Sequence, residues 1–412
     1  MPADLTDPPL FDRAGAAPQP AAVWRLHVVA SPDPDWRGAI LDMSDDGVLR
    51  DGTQIGRMPD APFSLRIDDS TLSRRHASFT KANMLLRVTD LGSSNGTFCA
   101  GQRVQAALVG HGAVVRLGSN VFVVERDTGL RTACAEPTAD LPGQSERVRQ
   151  VRGALEDAAH DPLPVLLRGD AGTGKGHAAR ELHKRSGRPG AFVRVNASAI
   201  PESLLDAELF GHAGHGALAA RPGRVCEADR GVLMLDELAA LPLPQQAKLL
   251  QLLDEGTVRA VGGVSDQRLD VRVCASTQVD LAAYARDGRL RSDLLARFHA
   301  HVVDLPSLTE RRMDLFALAD ALLPLRDPTG APAAWSTVLH EETVEALLLY
   351  DWPDNLPELA ATLVHLRRHI GEQPVPRSVL PSTILRHSTV RPASEETARL
   401  RTGPRSLQPK NS

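Results

Sequence analysis

Eight consecutive residues, Gly169-Asp170-Ala171-Gly172-Thr173-Gly174-Lys175-Gly176, follow the apolar run Val165–Arg168 and precede a helical stretch. Strand, glycine-rich loop, lysine and helix in that order make a phosphate cradle. The glycines let backbone N–H groups curl around the anion, the helix N-terminus adds its dipole, and Lys175 adds a point charge. Further on, V-L-M-L-D-E ends in Asp236-Glu237. A strand closing on two carboxylates suits metal-assisted phosphoryl chemistry: Asp236 would hold Mg²⁺ and Glu237 would polarise an attacking water. The Ser or Thr usual after the lysine, a hydroxyl ligand for the metal, is replaced by Gly176. Together the two segments point to nucleotide binding.

A second anion-reading set lies upstream. Gly56-Arg57, Ser73-Arg74-Arg75-His76 and Asp90-Leu91-Gly92-Ser93-Ser94-Asn95-Gly96-Thr97 all fall between strand-like runs. Loops at one end of a β-sandwich cluster in space. Two arginines offer planar forks that fit phosphate, Ser73 offers a hydroxyl, and Asn95 can both donate to and accept from an extended peptide backbone. Together they form a small anion site.

The elements that must position these groups follow from the patterning. Short strand-like runs with turn signals every 8–12 residues fill 23–127 and predict an all-β sandwich. Residues 1–22 are rich in Pro, Ala and Asp without periodicity and read as a disordered tail; the polar stretch 128–142 reads as a linker. From 143 to 305 buried-strand candidates (P-V-L-L-R, A-F-V-R-V, G-V-L-M-L-D, V-R-V-C-A) alternate with helical segments, which predicts an α/β core with a parallel sheet. Beyond Pro306 no strand is evident, and 306–372 reads as a small all-α unit with helices over Arg311–Leu323, Glu341–Leu349 and Leu356–His369. Residues 373–412 are Pro-, Arg- and Ser-rich and read as a flexible tail. The fold class expected is therefore multidomain: a β-sandwich, an α/β P-loop core and a helical lid.

The 412 residues are 42% hydrophobic and 24% charged, enough for a sizeable core, and the net charge of −4 excludes a chain-wide basic surface for non-specific nucleic-acid binding. The four cysteines, Cys99, Cys134, Cys226 and Cys274, show neither a CxxC nor a metal-ligand spacing and read as reduced thiols. The N-terminus has no basic n-region with an apolar core, and no apolar run reaches the ~18 residues a membrane helix needs. A cytoplasmic protein without membrane contact is expected.

Over about 100 residues the G-R, S-x-x-H, L-G-S-x-N-G-T and G-x-R-V (Gly101 to Val104) elements resemble the forkhead-associated (FHA) family in order and spacing. Members bind phosphothreonine peptides. The resemblance puts Arg57, Ser73 and Arg74 on the phosphate, Ser94 beside it and Asn95 on the peptide backbone, with His76 bracing the loop. A phosphothreonine-containing protein, made by a Ser/Thr kinase, is the partner implied.

Phe192 to His212 (F-V-R-V-N-A-S-A-I-P-E-S-L-L-D-A-E-L-F-G-H), Gln246 to Gly263, Val271 to Leu281 and Trp352 to Asn355 resemble the AAA+ domain of bacterial sigma-54-dependent activators, over about 141–370. That family forms hexameric ring ATPases that remodel sigma-54 RNA polymerase, which implies ATP with Mg²⁺ as cofactors and a homo-oligomeric ring. By this resemblance Asn196 is the switch residue that pairs with Glu237, and Arg291 and Arg297 reach into the neighbouring subunit's nucleotide.

The departures from that family are specific. The G-A-F-T-G-A loop reads G-A-L-A-A-R (Gly216 to Arg221), Gly176 stands where Glu is usual, Gln278 replaces the sensor-one asparagine, and W-P-G-N-V-R-E-L reads W-P-D-N-L-P-E-L, with Pro357 for the sensor-two arginine. No helix-turn-helix pattern follows the lid, so no direct DNA binding is expected. The leading expectation is a phosphothreonine-responsive regulator of the sigma-54 activator class, acting on sigma-54 RNA polymerase or on another activator, with slow ATP hydrolysis. The alternatives are an FHA signalling adaptor whose AAA+ domain is a weak or inactive ATPase used for assembly or inhibition, and an ATPase that remodels a different client.

Overall fold

The computed structural model describes residues 23–42, 44–45, 48–49, 52–60, 64–127, 136–214, 219–327 and 329–387. The expectations for residues 1–22, for most of the 128–142 linker, for the heart of the G-A-L-A-A-R loop and for 388–412 lie outside them.

Two sheets face each other in the N-terminal unit. One has the strand order Gln102–Val104, Thr97–Cys99, Val114–Leu117, Asn120–Asp127, Val23–Ala30, Ile40–Asp42, and the other Ala106–Val109, Leu85–Asp90, Ala77–Ala82, Thr53–Gly56, Ser64–Arg66. Period-2 alternation fills the space between them. Trp24, Leu26, Val28, Ile55, Phe79, Leu86, Val88, Val115, Phe122 and Val124 form that core.

The central unit is a five-stranded parallel sheet. Its strands are β1 (Val165–Arg168), β2 (Phe192–Asn196), β3 (Val232–Asp236), β4 (Arg272–Thr277) and β5 (His301–Asp304), in the order β2-β3-β4-β1-β5. Both faces are covered, so successive side chains enter different cores. Val165, Leu167, Val232, Met234 and Cys274 pack on α1 (Glu146–Ala159) and α2 (Lys175–Ser186). Leu166, Leu233, Leu235, Val273 and Ala275 pack on the other side with Leu249 and Leu252 of α3 (Leu243–Glu255) and Phe298, just after α4 (Ser292–Arg297). Register places Arg168 opposite Thr277 and Asn196 opposite Asp236, so the carboxyl ends of the strands form one crest. That crest is where ligands bind in open α/β sheets.

The lid contains α5 (Leu315–Leu322), α6 (Glu341–Leu349), α7 (Asn355–Arg367) and α8 (Ser382–His387). Two expectations are corrected here. A short hairpin pairs Leu325–Arg326 with Pro332–Ala333, so the region after Pro306 is not strand-free. Residues 373–387 are packed rather than a loose tail: Val375, Leu380 and Ile384 are buried in the lid core, and Thr343 Oγ1 donates to Val375 O at 2.8 Å. Their Pro-rich composition hid three apolar anchors spaced to reach one groove. The end of the linker is also fixed, with Leu141 buried and Arg152 Nη1 donating to Leu141 O and Gly143 O at 3.0 and 2.9 Å.

The sandwich and the lid share a core. Val29, Ala30, Val114, Val121 and Val123 point away from the sandwich interior and pack with Leu315, Leu318, Trp335, Val344, Leu347 and Leu348. At its margin Glu345 of α6 accepts from Arg116 Nε and from Gly101 N, both at 2.9 Å. Arg116 also lies over the Phe98 ring, 3.8 Å from its centroid.

Candidate functional sites for phosphate groups

At the sandwich end the three expected loops are sewn together by their own backbone. Arg57 N donates to Ser73 O (3.0 Å) and Met58 N to Arg74 O (2.9 Å). Gly56 permits this approach, because a Cβ there would stand 2.2 Å from Arg74 O. Ser73 Oγ accepts from Ser94 N at 3.0 Å, and Asn95 Nδ2 donates to Thr71 O at 2.8 Å. Arg57, Ser73, Arg74, Ser94 and Asn95 are thus brought to one place. Arg74, Ser94 and Asn95 are exposed and Arg57 is half-buried. Neither Arg57 nor Arg74 forms an ion pair with another described side chain, so both forks remain available to an anion.

Two side chains hold those loops. His76 is fully buried; its Nδ1 accepts from Ser73 N at 3.2 Å and its Nε2 lies 3.1 Å from Gly96 O. Burial pushes its pKa below the ordinary 6.5, against the opposing Gly96 carbonyl, Asp90 and Asp69. Burial thus favours the neutral ring in the bracing role that the resemblance implied for this histidine. Asp90 accepts from Gly92 N, Ser93 N and Thr97 Oγ1 at 3.0, 3.0 and 2.7 Å. Burial alone would raise its pKa; the hydrogen bonds from Ser93, Thr97 and Gly92 outweigh that and hold it below the usual carboxylate value.

At the crest of the parallel sheet Gly169, Gly172 and Gly174 adopt φ of 151°, 74° and 101°, backbone that L side chains resist. No side chain caps α2 at Gly174; His177 N donates to Gly174 O at 2.9 Å, which leaves the Lys175 and Gly176 amides for a ligand. Lys175 Nζ donates to Gly169 O (2.7 Å) and Asp170 O (2.9 Å). Burial lowers its pKa, countered by Glu237, Asp236 and Asp170. The loop Gly169–Gly176 with Ala171 and Thr173 fits a nucleotide's phosphates.

The lid closes on this loop. Asn355 Nδ2 donates to Ala171 O at 2.9 Å and Leu356 N to Gly172 O at 3.1 Å. A Cβ on Gly172 would stand 2.7 Å from Pro357 Cδ. The residue at the sensor-two position is therefore at the loop, but with a ring carbon rather than a cation. Arg311, buried beneath, donates from Nη2 to Thr173 O at 3.0 Å, and burial lowers its pKa.

Asp236 and Glu237 sit at the end of β3. Asp236 Oδ1 accepts from Ser276 Oγ at 2.9 Å, and Oδ2 accepts from Arg194 Nε at 2.5 Å. Glu237 has φ 59° and ψ 62°, a left-handed conformation in a non-glycine residue, with its N–H donating to Ser276 Oγ at 3.4 Å. Such backbone strain is characteristic of sites that aim a side chain. Asn196 lies opposite Asp236, but its Oδ1 accepts from Ser198 N (3.1 Å) and Ser198 Oγ (2.8 Å), and no hydrogen bond joins it to Glu237 among the described residues. Asn196 acts here as the cap of the short helix Ala197–Ala199.

Arg291 and Arg297 bracket α4, and each is held by an acid of its own chain. Arg291 Nη2 is 2.7 Å from Asp293 Oδ2, and Arg297 Nε is 2.7 Å from Asp254 Oδ1. Both are exposed, as a contact between subunits would require.

The donor set does not fit Mg²⁺ held in the usual way. Gly176 supplies no hydroxyl, and the one carboxylate expected to face the metal already carries an arginine. Arg194, Arg311 and Asn355 were not read from the sequence as site residues. For Arg194 a signal existed, since period-2 alternation puts it on the same side of β2 as Asn196.

Residues 141–304 match the family model for the sigma-54 interaction domain, and residues 53–118 match that for the FHA domain. The chain is 41% identical over 224 residues to the nitric oxide reductase transcription regulator NorR2 of Cupriavidus necator, covering 53% of this chain and 43% of that one. It is 37% identical over 252 residues to the DNA-binding transcriptional regulator NtrC of Klebsiella pneumoniae, covering 60% and 53%. The chain spans about half the length of the curated relatives it matches. Among solved structures, NtrX from Brucella abortus in complex with ADP superposes with a TM-score of 0.53 at 27% identity, over 63% of this chain and 59% of that one.

Proposed function

We propose a function that proceeds from one premise: this chain joins an FHA domain to a sigma-54 interaction domain, the AAA+ module of sigma-54-dependent transcriptional activators. On that premise the protein is a phosphothreonine-responsive transcription regulator. Arg57, Ser73 and Arg74 receive the phosphate of a partner phosphoprotein, Ser94 flanks it, and Asn95 reads the peptide backbone. ATP is held by Gly169–Gly176 and Lys175, which supply amides and one positive charge. Arg291 and Arg297 present cations at a ring interface between copies of this chain. The clients are sigma-54 RNA polymerase or another activator of the class.

The observation that carries this reading is the continuity between the two sites. The FHA sandwich shares its outer apolar face with the lid, and the lid's α7 begins on the phosphate loop through Asn355 and Leu356. A ligand that favours one seating of the sandwich on the lid therefore has a physical route to the nucleotide. The net charge of −4 supports the further reading that the chain offers DNA no chain-wide basic surface.

A second reading rests on Pro357 and the engaged Asp236. With no cation at the sensor-two position, ATP binding outlasts hydrolysis, and the protein acts as an adaptor or an inhibitory ring partner. Steady-state ATPase assays with and without a phosphothreonine peptide separate the two. A turnover below the ~1 s⁻¹ floor of typical enzymes that changes with the peptide supports the regulator. Turnover that ignores the phosphopeptide while the peptide still binds favours the adaptor.

A further inference from the structure

The arginine on Asp236 has a definite geometry. Arg194 leaves β2 two residues before Asn196, and its Nε donates to Asp236 Oδ2 at 2.5 Å. The rest of the guanidinium lies over the first turn of α2. A Cβ built on Gly176 would stand 3.0 Å from Cζ and Nη1 of Arg194, and 3.3 Å from Nη2. The glycine leaves the room that the arginine fills, and any larger residue after Lys175 would have to displace it. The two departures from the expected site are therefore one complementary change. The hydroxyl that would bind a metal is absent, and a cation stands on the carboxylate that would bind it.

We propose that Arg194 takes the place of the metal ion's charge in this site, so that ATP binds with little dependence on Mg²⁺. The proposal rests on the nucleotide-site reading above. Three features give it content. The guanidinium always carries its charge. Its Nη1 and Nη2 make no hydrogen bond to another described residue, and both stand over Gly176 in the first turn of α2, 3.0 and 3.3 Å from where a Cβ would be. Asp236 is turned toward Arg194 and Ser276, which orients the guanidinium. Arg194 Nη atoms and Lys175 Nζ then flank the phosphates as two fixed cations. A planar fork donating to phosphate oxygens is the geometry arginine serves best. As a surface ion pair alone, with the Arg194 side chain 56% exposed, the contact to Asp236 would contribute little to stability. Its value lies in where it holds the guanidinium.

The test measures ATP binding to the full chain by isothermal titration, in Mg²⁺ and in EDTA. The wild type is expected to bind with affinities within about threefold of each other. Arg194→Ala is expected to lose about tenfold or more in EDTA, the worth of a charge-assisted hydrogen bond, and to recover most of that in Mg²⁺ as Asp236 is freed. Arg194→Lys keeps the charge without the fork and is expected to fall between them. Arg194 is exposed, so its replacement leaves the core untouched, and the wild-type comparison needs no variant at all. A wild type that weakens tenfold or more in EDTA overturns the proposal, as does an Arg194→Ala protein that binds like wild type in EDTA, which would leave the arginine a structural contact. Absence of ATP binding in both media overturns the nucleotide-site reading itself.

Discussion

The two proposed phosphate sites of this chain are built by opposite means. At the sandwich end recognition is assigned to side chains: Arg57, Ser73 and Arg74 project from loops whose backbone donors are largely spent on one another. At the sheet crest the backbone is the binding surface, and the cations around it are already engaged, Lys175 with Gly169 O and Asp170 O and Arg194 with Asp236. A side-chain site can be dismantled one residue at a time. An amide cradle tolerates few changes to its glycines but can alter the charges around it, and this chain departs from the family pattern at positions 176 and 357.

The largest effect is expected where the two regions join. Glu345→Ala leaves Arg116 and Gly101 N without their partner, and breaking a buried ion pair of this kind costs about 3 kcal/mol. That is the low end of the usual range, because Gly118 O and the Phe98 ring still contact Arg116. A lowered midpoint of chemical unfolding checks this, and an unchanged one would make the sandwich and lid independent. Next, Lys175→Ala should weaken ATP binding about a hundredfold while phosphopeptide affinity holds; titrations of both ligands on one preparation decide. Arg57→Ala reverses the pattern, with phosphopeptide affinity down at least tenfold and ATP affinity intact. Equal binding of phosphorylated and plain peptides by the wild type would remove the comparison altogether.

The smallest effect is in pH. His76 is held below its ordinary 6.5, so the folded loops prefer the neutral ring. Their stability is fully present above pH 6.5 and is lost as pH falls from there through the folded value. Phosphothreonine itself loses charge near pH ~6, so the readout must be free of ligand. The protection of the Ser73 amide, which donates to His76 Nδ1, measured against the intrinsic exchange rate at each pH, should fall at acid pH, and His76→Gln should flatten that dependence.

Much of this was legible in the sequence, for physical reasons that differ by region. Strand alternation and glycine-punctuated loops located the sandwich, the loops that meet at its end and the glycine-rich loop at the sheet crest, because these depend on local backbone rules. The run V-F-V-V also held a fuller message: Phe122 and Val124 face the sandwich core while Val121 and Val123 face the lid. A strand apolar on both sides signals burial on both sides, although it cannot name what covers the second. Arg311, Asn355 and Glu345 were not legible, since each acts on residues more than a hundred positions away. The Asn196–Glu237 pair was expected from resemblance, but Ser198 competes locally for the same amide oxygen.

The shared core has a further consequence, in time. On the ribosome the sandwich is complete at about Asp127, yet Trp335–Val338 and the α6 residues that cover Val29, Val114, Val121 and Val123 emerge roughly 210–220 residues later. At elongation rates of ~5–20 residues per second that is about 10–45 s. Throughout that interval the nascent domain carries a bare aliphatic face, open to a chaperone or to the same face on a neighbouring nascent chain. Synthesis therefore sets an order of events that the finished molecule conceals: the phosphopeptide loops can form early, while the surface behind them must wait for the C-terminal helices.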